Sequence, residues 1–297
     1  LDENYTIYTE MESDGRFKLK LFCVNPAVNL GKYLQKGNST IFFSATLLPI
    51  HYYKQLLSTA EDDYAIYAES PFVSENRCIL IGMDVSSKYT RRNAWTYQQF
   101  ANYIFTAAQK KRGNYLVFFP SYQFMEAVYE KIQAFPQYEK TTCLTQQPYM
   151  TEEEREKFLS EFEKERKESL IGFCVLGGIF SEGIDLTEDR LIGAIIVGTG
   201  LPQVCHEREI LKRYFDKKNG NGFDYAYLYP GMNKVLQAAG RVIRTERDRG
   251  VVLLLDDRFQ QQQYRQIFPR EWNLCHSCTL ESVGASLERF WNEEHPE

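Results

Sequence analysis

Eight residues, Gln237-Ala238-Ala239-Gly240-Arg241-Val242-Ile243-Arg244, put a glutamine and two arginines where one phosphate group could meet all three. If the segment is helical, positions 237, 241 and 244 share one face. Val235, Leu236, Val242 and Ile243 make much of the remainder apolar, so guanidinium groups there require an anionic partner. A nucleotide γ-phosphate fits this demand. The planar arginine fork donates two parallel hydrogen bonds to phosphate oxygens and keeps its charge at any working pH.

A second cluster is Gly178-Ile179-Phe180-Ser181-Glu182-Gly183-Ile184-Asp185. Glycines at 177, 178 and 183 let backbone approach a ligand closely, while Glu182 and Asp185 offer acceptors for hydroxyls or for a neighbouring arginine. Glycine-rich loops with an acid are common, so the segment gains meaning only beside the arginines. The chain holds no Gly-x-x-x-x-Gly-Lys-Ser/Thr loop, and no strand is expected to end in an acidic pair that holds Mg2+ beside a triphosphate. The chain cannot by itself assemble a conventional P-loop site.

The elements that position these clusters follow from short apolar runs at Thr40–Phe43, Tyr115–Phe119, Ile171–Leu176, Leu191–Val197 and Val251–Leu255, each closed by a polar or glycine-containing turn. Near-continuous apolar character marks strands covered on both faces, hence a parallel sheet flanked by helices. Helical stretches are expected at Trp95–Lys111, Tyr122–Phe135, Thr151–Lys167, Cys205–Lys217 and Met232–Thr245, and the alternation predicts a doubly wound α/β domain. Thr151 and Glu154 form a capping box, with Phe158, Leu159 and Phe162 facing inward. Tyr5–Glu10 and Phe17–Val24 around Ser13-Asp14-Gly15 read as a hairpin. Residues 60–94 read as a connection.

Composition narrows the classes. With 297 residues, 43% hydrophobic and 14% aromatic, the chain can bury a large core. No apolar run is long enough to cross a bilayer and the N-terminus lacks the features of a signal peptide, which predicts a soluble intracellular protein with no membrane partner. Seven scattered cysteines argue against a disulfide framework. A formal charge of −5 gives no global attraction to nucleic acid, so strand binding must use a local patch or a partner domain. Cys275-His276-Ser277-Cys278 is half of a metal site at best, with no second pair at suitable spacing, and no metal is assigned to this chain. His51 and His206 stand isolated and suit surface or capping roles. Tyr225, Tyr227 and Tyr229 could stack bases, but a strand or turn packing its rings into the core is the plainer reading. Lys212, Arg213, Lys217 and Lys218 form the best basic patch and read as a solvated helix end.

These segments, taken in order, resemble the C-terminal motor domain of the XPD/DinG family of superfamily 2 DNA helicases. Ser44-Ala45-Thr46-Leu47 is similar to motif III, Phe118-Phe119-Pro120-Ser121-Tyr122 to motif IV, Phe180–Leu186 to motif V and 237–244 to motif VI. The resemblance spans about residues 38–270 and is strongest over 170–260. It implies a RecA-like parallel sheet flanked by helices on both faces, with residues 1–75 as the terminal segment of the preceding motor domain plus linker and 76–297 as the second motor domain. It further implies Arg241 and Arg244 as arginine fingers with Gln237 beside them, and Glu182, Gly183, Asp185 and Gly240 on the nucleotide side. Ser121, Tyr122, Gly178, Ser181 and Thr199 would lie towards single-stranded DNA or the seam between lobes. Ser44 and Thr46 would couple hydrolysis to strand movement, which the family runs 5′ to 3′. ATP and Mg2+ would be shared with an N-terminal motor domain outside this chain, and an iron–sulfur cluster, where relatives carry one, would also lie outside it. A competing reading is a degenerate RecA-like docking module whose arginines sit in internal salt bridges; the joint presence of both arginines, Gln237 and Asp185 argues against it. A self-sufficient hydrolase ranks last, because the sequence offers no nucleophile–base pair.

Overall fold

Most of the apolar runs become strands of one sheet. The computed structural model describes residues 2–60, 62–181 and 186–293. Two compact units emerge: the residues up to Ala68 with Pro202–Pro230, and Glu69–Leu201 with the residues from Gly231 onward.

The smaller unit opens with β1 (Tyr5–Met11) and β2 (Phe17–Cys23), an antiparallel hairpin running from Tyr5↔Cys23 to Met11↔Phe17. The turn expected at Ser13-Asp14-Gly15 is there, with Gly15 at φ 84°. Helices α1 (Ala27–Leu34) and α2 (Ile50–Leu57) follow. The run at 40–43 is not a strand: Ile41 and Phe43 stand 82% and 90% exposed and the segment makes no ladder among the described residues. Apolar content without a neighbouring strand to pair with does not make a strand.

Of the elements contributed by 202–230, α6 (His206–Asn219) ends on Gly220 in the left-handed region at φ 76°. Glu207 at its start accepts from the Tyr8 phenol at 2.5 Å and pairs with the Lys20 ammonium. That acceptor raises the Tyr8 phenol to about 12. Tyr225, Tyr227 and Tyr229 lie on a wide helical turn over Asp224–Leu228 and the helix after it, not on a strand. Tyr225 stacks on Phe215 at 4.2 Å and meets Tyr52 edge-on, so burial among rings is the role observed.

The larger unit holds β3 (Arg77–Gly82), α3 (Ala94–Lys110), β4 (Asn114–Phe119), α4 (Tyr122–Gln133), β5 (Thr141–Thr145), α5 (Glu152–Ser160), β6 (Ser169–Val175) and β7 (Gly193–Val197). After α7 (Tyr229–Ala239), which enters it at Gly231, come β8 (Gly250–Leu255), α8 (Gln262–Arg265), β9 (Cys275–Cys278) and α9 (Leu280–Asn292). The described strands form a seven-stranded sheet in the order β5-β6-β4-β7-β8-β3-β9, every neighbouring pair parallel. One face packs Tyr115, Val117, Phe119, Ile195 and Leu253 against α3, α4 and α9. On the other, Phe158 of α5 and Phe162 close over Gly172, where a Cβ would stand 2.8 Å from the Phe162 ring.

The expected connection at 60–94 therefore contains an interior strand, next to the β9 edge, with Ile79, Leu80 and Ile81 at most 2% exposed. The capping box at Thr151 and Glu154 forms as expected, although α5 stops at Ser160 and only a short turn over Glu161–Glu163 continues it. Chain leaving the larger unit after Leu201 returns at Gly231, and these two points touch. A Cβ on Gly200 would lie 2.5 Å from the Gly231 carbonyl oxygen, and one on Gly231 would lie 3.0 Å from Leu201 N.

At the carboxyl end of β8, Asp256 is fully buried and accepts from Arg258 Nε at 2.8 Å and Nη2 at 2.9 Å, and from Ser87 N at 2.9 Å and Oγ at 2.7 Å. Burial opposes its charge, but the Arg258 guanidinium and the Ser87 donors hold the carboxyl below its ordinary range. A depressed carboxylate contributes stability above its unfolded value of about 3.9 and loses it as pH falls through the folded value. Asp256→Asn is expected to lower stability at pH 7 by about 3–5 kcal/mol, because Arg258 stays buried without its counter-charge. Urea unfolding of the variant should lose less on acidification below about pH 4 than the parent does; equal losses would remove this carboxylate from the acid response.

Candidate functional site

The arginine segment does not lie on one helix face. α7 ends at Ala239, so Gln237 is helical, while Gly240, Arg241 and Arg244 lie in the irregular chain beyond. Gly240 is a poor helix former, and the last turn tightens, with Arg241 N donating to Ala238 O at 3.3 Å and Val242 N to Ala239 O at 3.4 Å. Val242 and Ile243 are buried at 1% and 6% and pin the segment to the core.

Asp248, 3% exposed, then fixes its course. Its carboxylate accepts from Arg244 N at 2.6 Å, Thr245 N at 2.7 Å, Thr245 Oγ1 at 2.7 Å and Glu188 N at 3.0 Å. Glu188 holds φ at 57°, an unusual conformation for a residue with a side chain, and its N–H reaches the carboxylate from there. Gly250, at the start of β8, permits the close fit: a Cβ there would stand 2.2 Å from Val242 Cγ1 and 2.8 Å from the Ile192 carbonyl oxygen.

Arg241 is half-buried and its Nη2 donates to the Ser181 carbonyl at 2.9 Å. Ser181 belongs to the loop beyond the carboxyl end of β6. Its Oγ accepts from Gly177 N at 2.9 Å and donates to Val175 O at 3.3 Å, and Gly177 takes φ 72°. Gly178 N donates to the same Val175 carbonyl at 3.0 Å. The motif V expectations at Glu182, Gly183 and Asp185 lie outside the described residues. Ser121 caps α4, accepting from Phe124 N at 3.3 Å, and Tyr122 is the first residue of that helix. The Tyr122 hydroxyl accepts from Gln146 Nε2 at 2.9 Å. Burial raises that phenol above its ordinary value, and the Gln146 donor works against the rise.

Thr199, 2% exposed, sits beyond β7 between Gly198 at φ 82° and Gly200 at φ 68°. Its carbonyl lies 3.0 Å from where a Cβ on Gly231 would stand, so it abuts the chain as it enters the unit. Ser44 and Thr46 belong to the smaller unit, where Ser44 Oγ accepts from Thr46 N at 3.2 Å and lies 3.3 Å from Thr46 Oγ1. Thus Ser181 with Arg241 are in contact, and Tyr122 joins their loop through Gln146.

An acidic pair, Asp256 and Asp257, follows β8. Both are engaged: Asp256 by Arg258 and Ser87, Asp257 by Ser86 Oγ at 2.9 Å and Arg91 Nη1 at 3.0 Å. Cys275 and Cys278 lie on β9; burial raises the first thiol and pushes the second up to about 12. Gln146 and Asp248 escaped the sequence reading. The signal for Gln146 was a polar amide directly after a strand end, and for Asp248 a short acid three residues past a threonine in a turn.

A model of the helicase C-terminal domain matches residues 104–274, more than half of the chain. The chain belongs to this family. It falls in the XPD/DinG branch, as the sequence motifs imply. It is 28% identical over 259 residues to the ATP-dependent DNA helicase XPD of Sulfolobus acidocaldarius, covering 84% of this chain and 45% of that protein. It is 27% identical over 240 residues to the 3′-5′ exonuclease DinG of Staphylococcus saprophyticus, covering 79% and 25%. The chain thus spans less than half the length of these two relatives. Among solved structures, an apo XPD superposes with a TM-score of 0.64 at 21% identity, over 93% of this chain and 54% of that one. S. tokodaii Xpd4 gives 0.58 at 14% identity, over 84% and 46%. The fold of this helicase domain is therefore RecA-like.

Within it, Asp248→Ala is expected to unfasten the segment carrying Arg244, leaving the Arg244, Thr245 and Glu188 N–H groups without their acceptor at about 1–3 kcal/mol for each that stays buried. The melting temperature should fall by several degrees, and amide exchange at 244 and 245 should accelerate. Unchanged exchange there would show that the carboxylate does not hold the segment.

Proposed function

We propose that this chain is the second motor lobe of an ATP-dependent DNA helicase, working with a first lobe that holds ATP and Mg2+. Arg241 and Arg244 would reach the γ-phosphate from across the cleft and stabilise charge in the transition state, with Gln237 beside them. Glu182, Gly183, Asp185 and Gly240 would line the nucleotide side. Ser121, Tyr122, Gly178, Ser181 and Thr199 would face single-stranded DNA, and Ser44 and Thr46 would link hydrolysis to movement, 5′ to 3′ by resemblance.

The observation that carries this reading is the delivery of Arg241 to the loop beyond the carboxyl end of β6, by a segment that Asp248 and buried Val242 hold in place. Ligands of open parallel sheets gather beyond the carboxyl ends of the strands. The sequence has no phosphate-cradling lysine loop, so positioning of the triphosphate would fall to the first lobe. A net charge of −5 leaves strand binding to local contacts.

The chain alone is expected to hydrolyse ATP at background rates. In a protein carrying both lobes, Arg241→Ala and Arg244→Ala should each lower kcat for hydrolysis by roughly 10³-fold or more, while affinity for an oligo(dT) strand changes only a few-fold. Steady-state hydrolysis and strand-binding titrations check both. Unwinding at the parental rate by either variant would overturn that arginine's role, and a two-lobed protein that binds neither ATP nor a single strand would leave a docking module.

A further inference from the structure

Gln146 is 2% exposed, lies next to none of the sequence motifs, and spends both ends of its amide. Nε2 donates to the Tyr122 hydroxyl at 2.9 Å, Oε1 accepts from Val175 N at 3.0 Å, and its own N–H is fixed on Phe173 O at 2.8 Å. A Cβ on Gly178 would lie 3.0 Å from Nε2 and 3.4 Å from Oε1, so the loop beyond β6 packs directly on this amide. From Val175 the bonds continue. Its carbonyl accepts from Gly178 N and from Ser181 Oγ, and the Ser181 carbonyl accepts from Arg241 Nη2. One buried side chain therefore joins the tyrosine at the start of α4 to the loop that receives the arginine.

We infer that Gln146 is a positioning residue that couples strand occupancy at Tyr122 to the placement of Arg241 through the loop 177–181. This rests on the proposed roles of Tyr122 and Arg241. A strand stacked on Tyr122 fixes the phenol ring, and the ring fixes the amide. Among the described residues the amide makes no other hydrogen bond, so a shift at either end costs one of the two and passes to the other. A glutamine serves here because one planar group donates at one end and accepts at the other.

The test is the stimulation of ATP hydrolysis by oligo(dT) in a protein carrying both lobes. Gln146→Ala is expected to lower the strand-stimulated kcat about tenfold while the strand-free kcat and the KM for ATP stay within twofold. Tyr122→Phe removes only the hydroxyl and keeps the ring, and it should lower the stimulated rate by a similar factor; the double variant should be no worse than either single one. Gln146→Glu should recover most of the stimulation, because a carboxylate accepts from both the Tyr122 O–H and Val175 N–H. Stimulated rates at the parental level in Gln146→Ala or Tyr122→Phe, or single effects that multiply in the double variant, would overturn the coupling while leaving the motor reading intact. A parental protein with no strand-stimulated hydrolysis would instead overturn both. Tyr122 is half-buried and the Phe variant keeps its ring and packing, so the coupling is tested even if Gln146→Ala does not fold.

Discussion

One buried carboxylate governs what the arginine segment can do. After α7 stops, the chain has no ladder or helix to follow, and an irregular segment carrying cationic side chains would ordinarily wander. Asp248 replaces that missing regularity by gathering two backbone N–H groups from its own turn, a hydroxyl, and the N–H of Glu188 across the unit. Ionised acceptors bind such donors roughly twice as strongly as neutral ones. The same group ties the end of the arginine segment to the start of the approach to β7, so neither can move alone.

Close backbone approach sets the second limit. Gly250 brings the first residue of β8 against Val242, and Gly231 brings the entry of the chain against Thr199 and Leu201. Side chains at these points would push the segment away from the sheet by ångströms, a distance that matters when a guanidinium must meet a carbonyl at 2.9 Å. The Asp256 and Arg258 pair has a different character. Both members are satisfied internally and by Ser87, and they join β8 to the chain after β3, a structural fastening beside strands that carry the site.

Most of the parallel sheet was legible because its strands are short, almost wholly apolar runs closed by turn residues. β4, β6, β7 and β8 fall within two residues of expectation. The failures have physical sources. β3 has the same character, Cys78 to Gly82, but lies within a polar stretch that masked it. The run at 40–43 has strand-forming residues and no neighbour to pair with. The shared helix face of Gln237, Arg241 and Arg244 failed because spacing describes a face only while the helix continues, and Gly240 ended it. The position of Gln146 directly after a strand end was a weak signal, because its significance comes from Tyr122 and Val175, both distant in sequence.

The meeting of Gly200 and Gly231 makes residues 202–230 an excursion whose two ends abut. To the larger unit this stretch is topologically an appendage: removing it would leave a gap that a tight turn could span, with no strand of the sheet losing a neighbour. A β-sheet can tolerate such a side trip only where the outgoing and returning chains nearly coincide, and paired glycines allow them to. The loop beyond β7 is thus a doorway through which sequence can be added or taken away without redrawing the sheet.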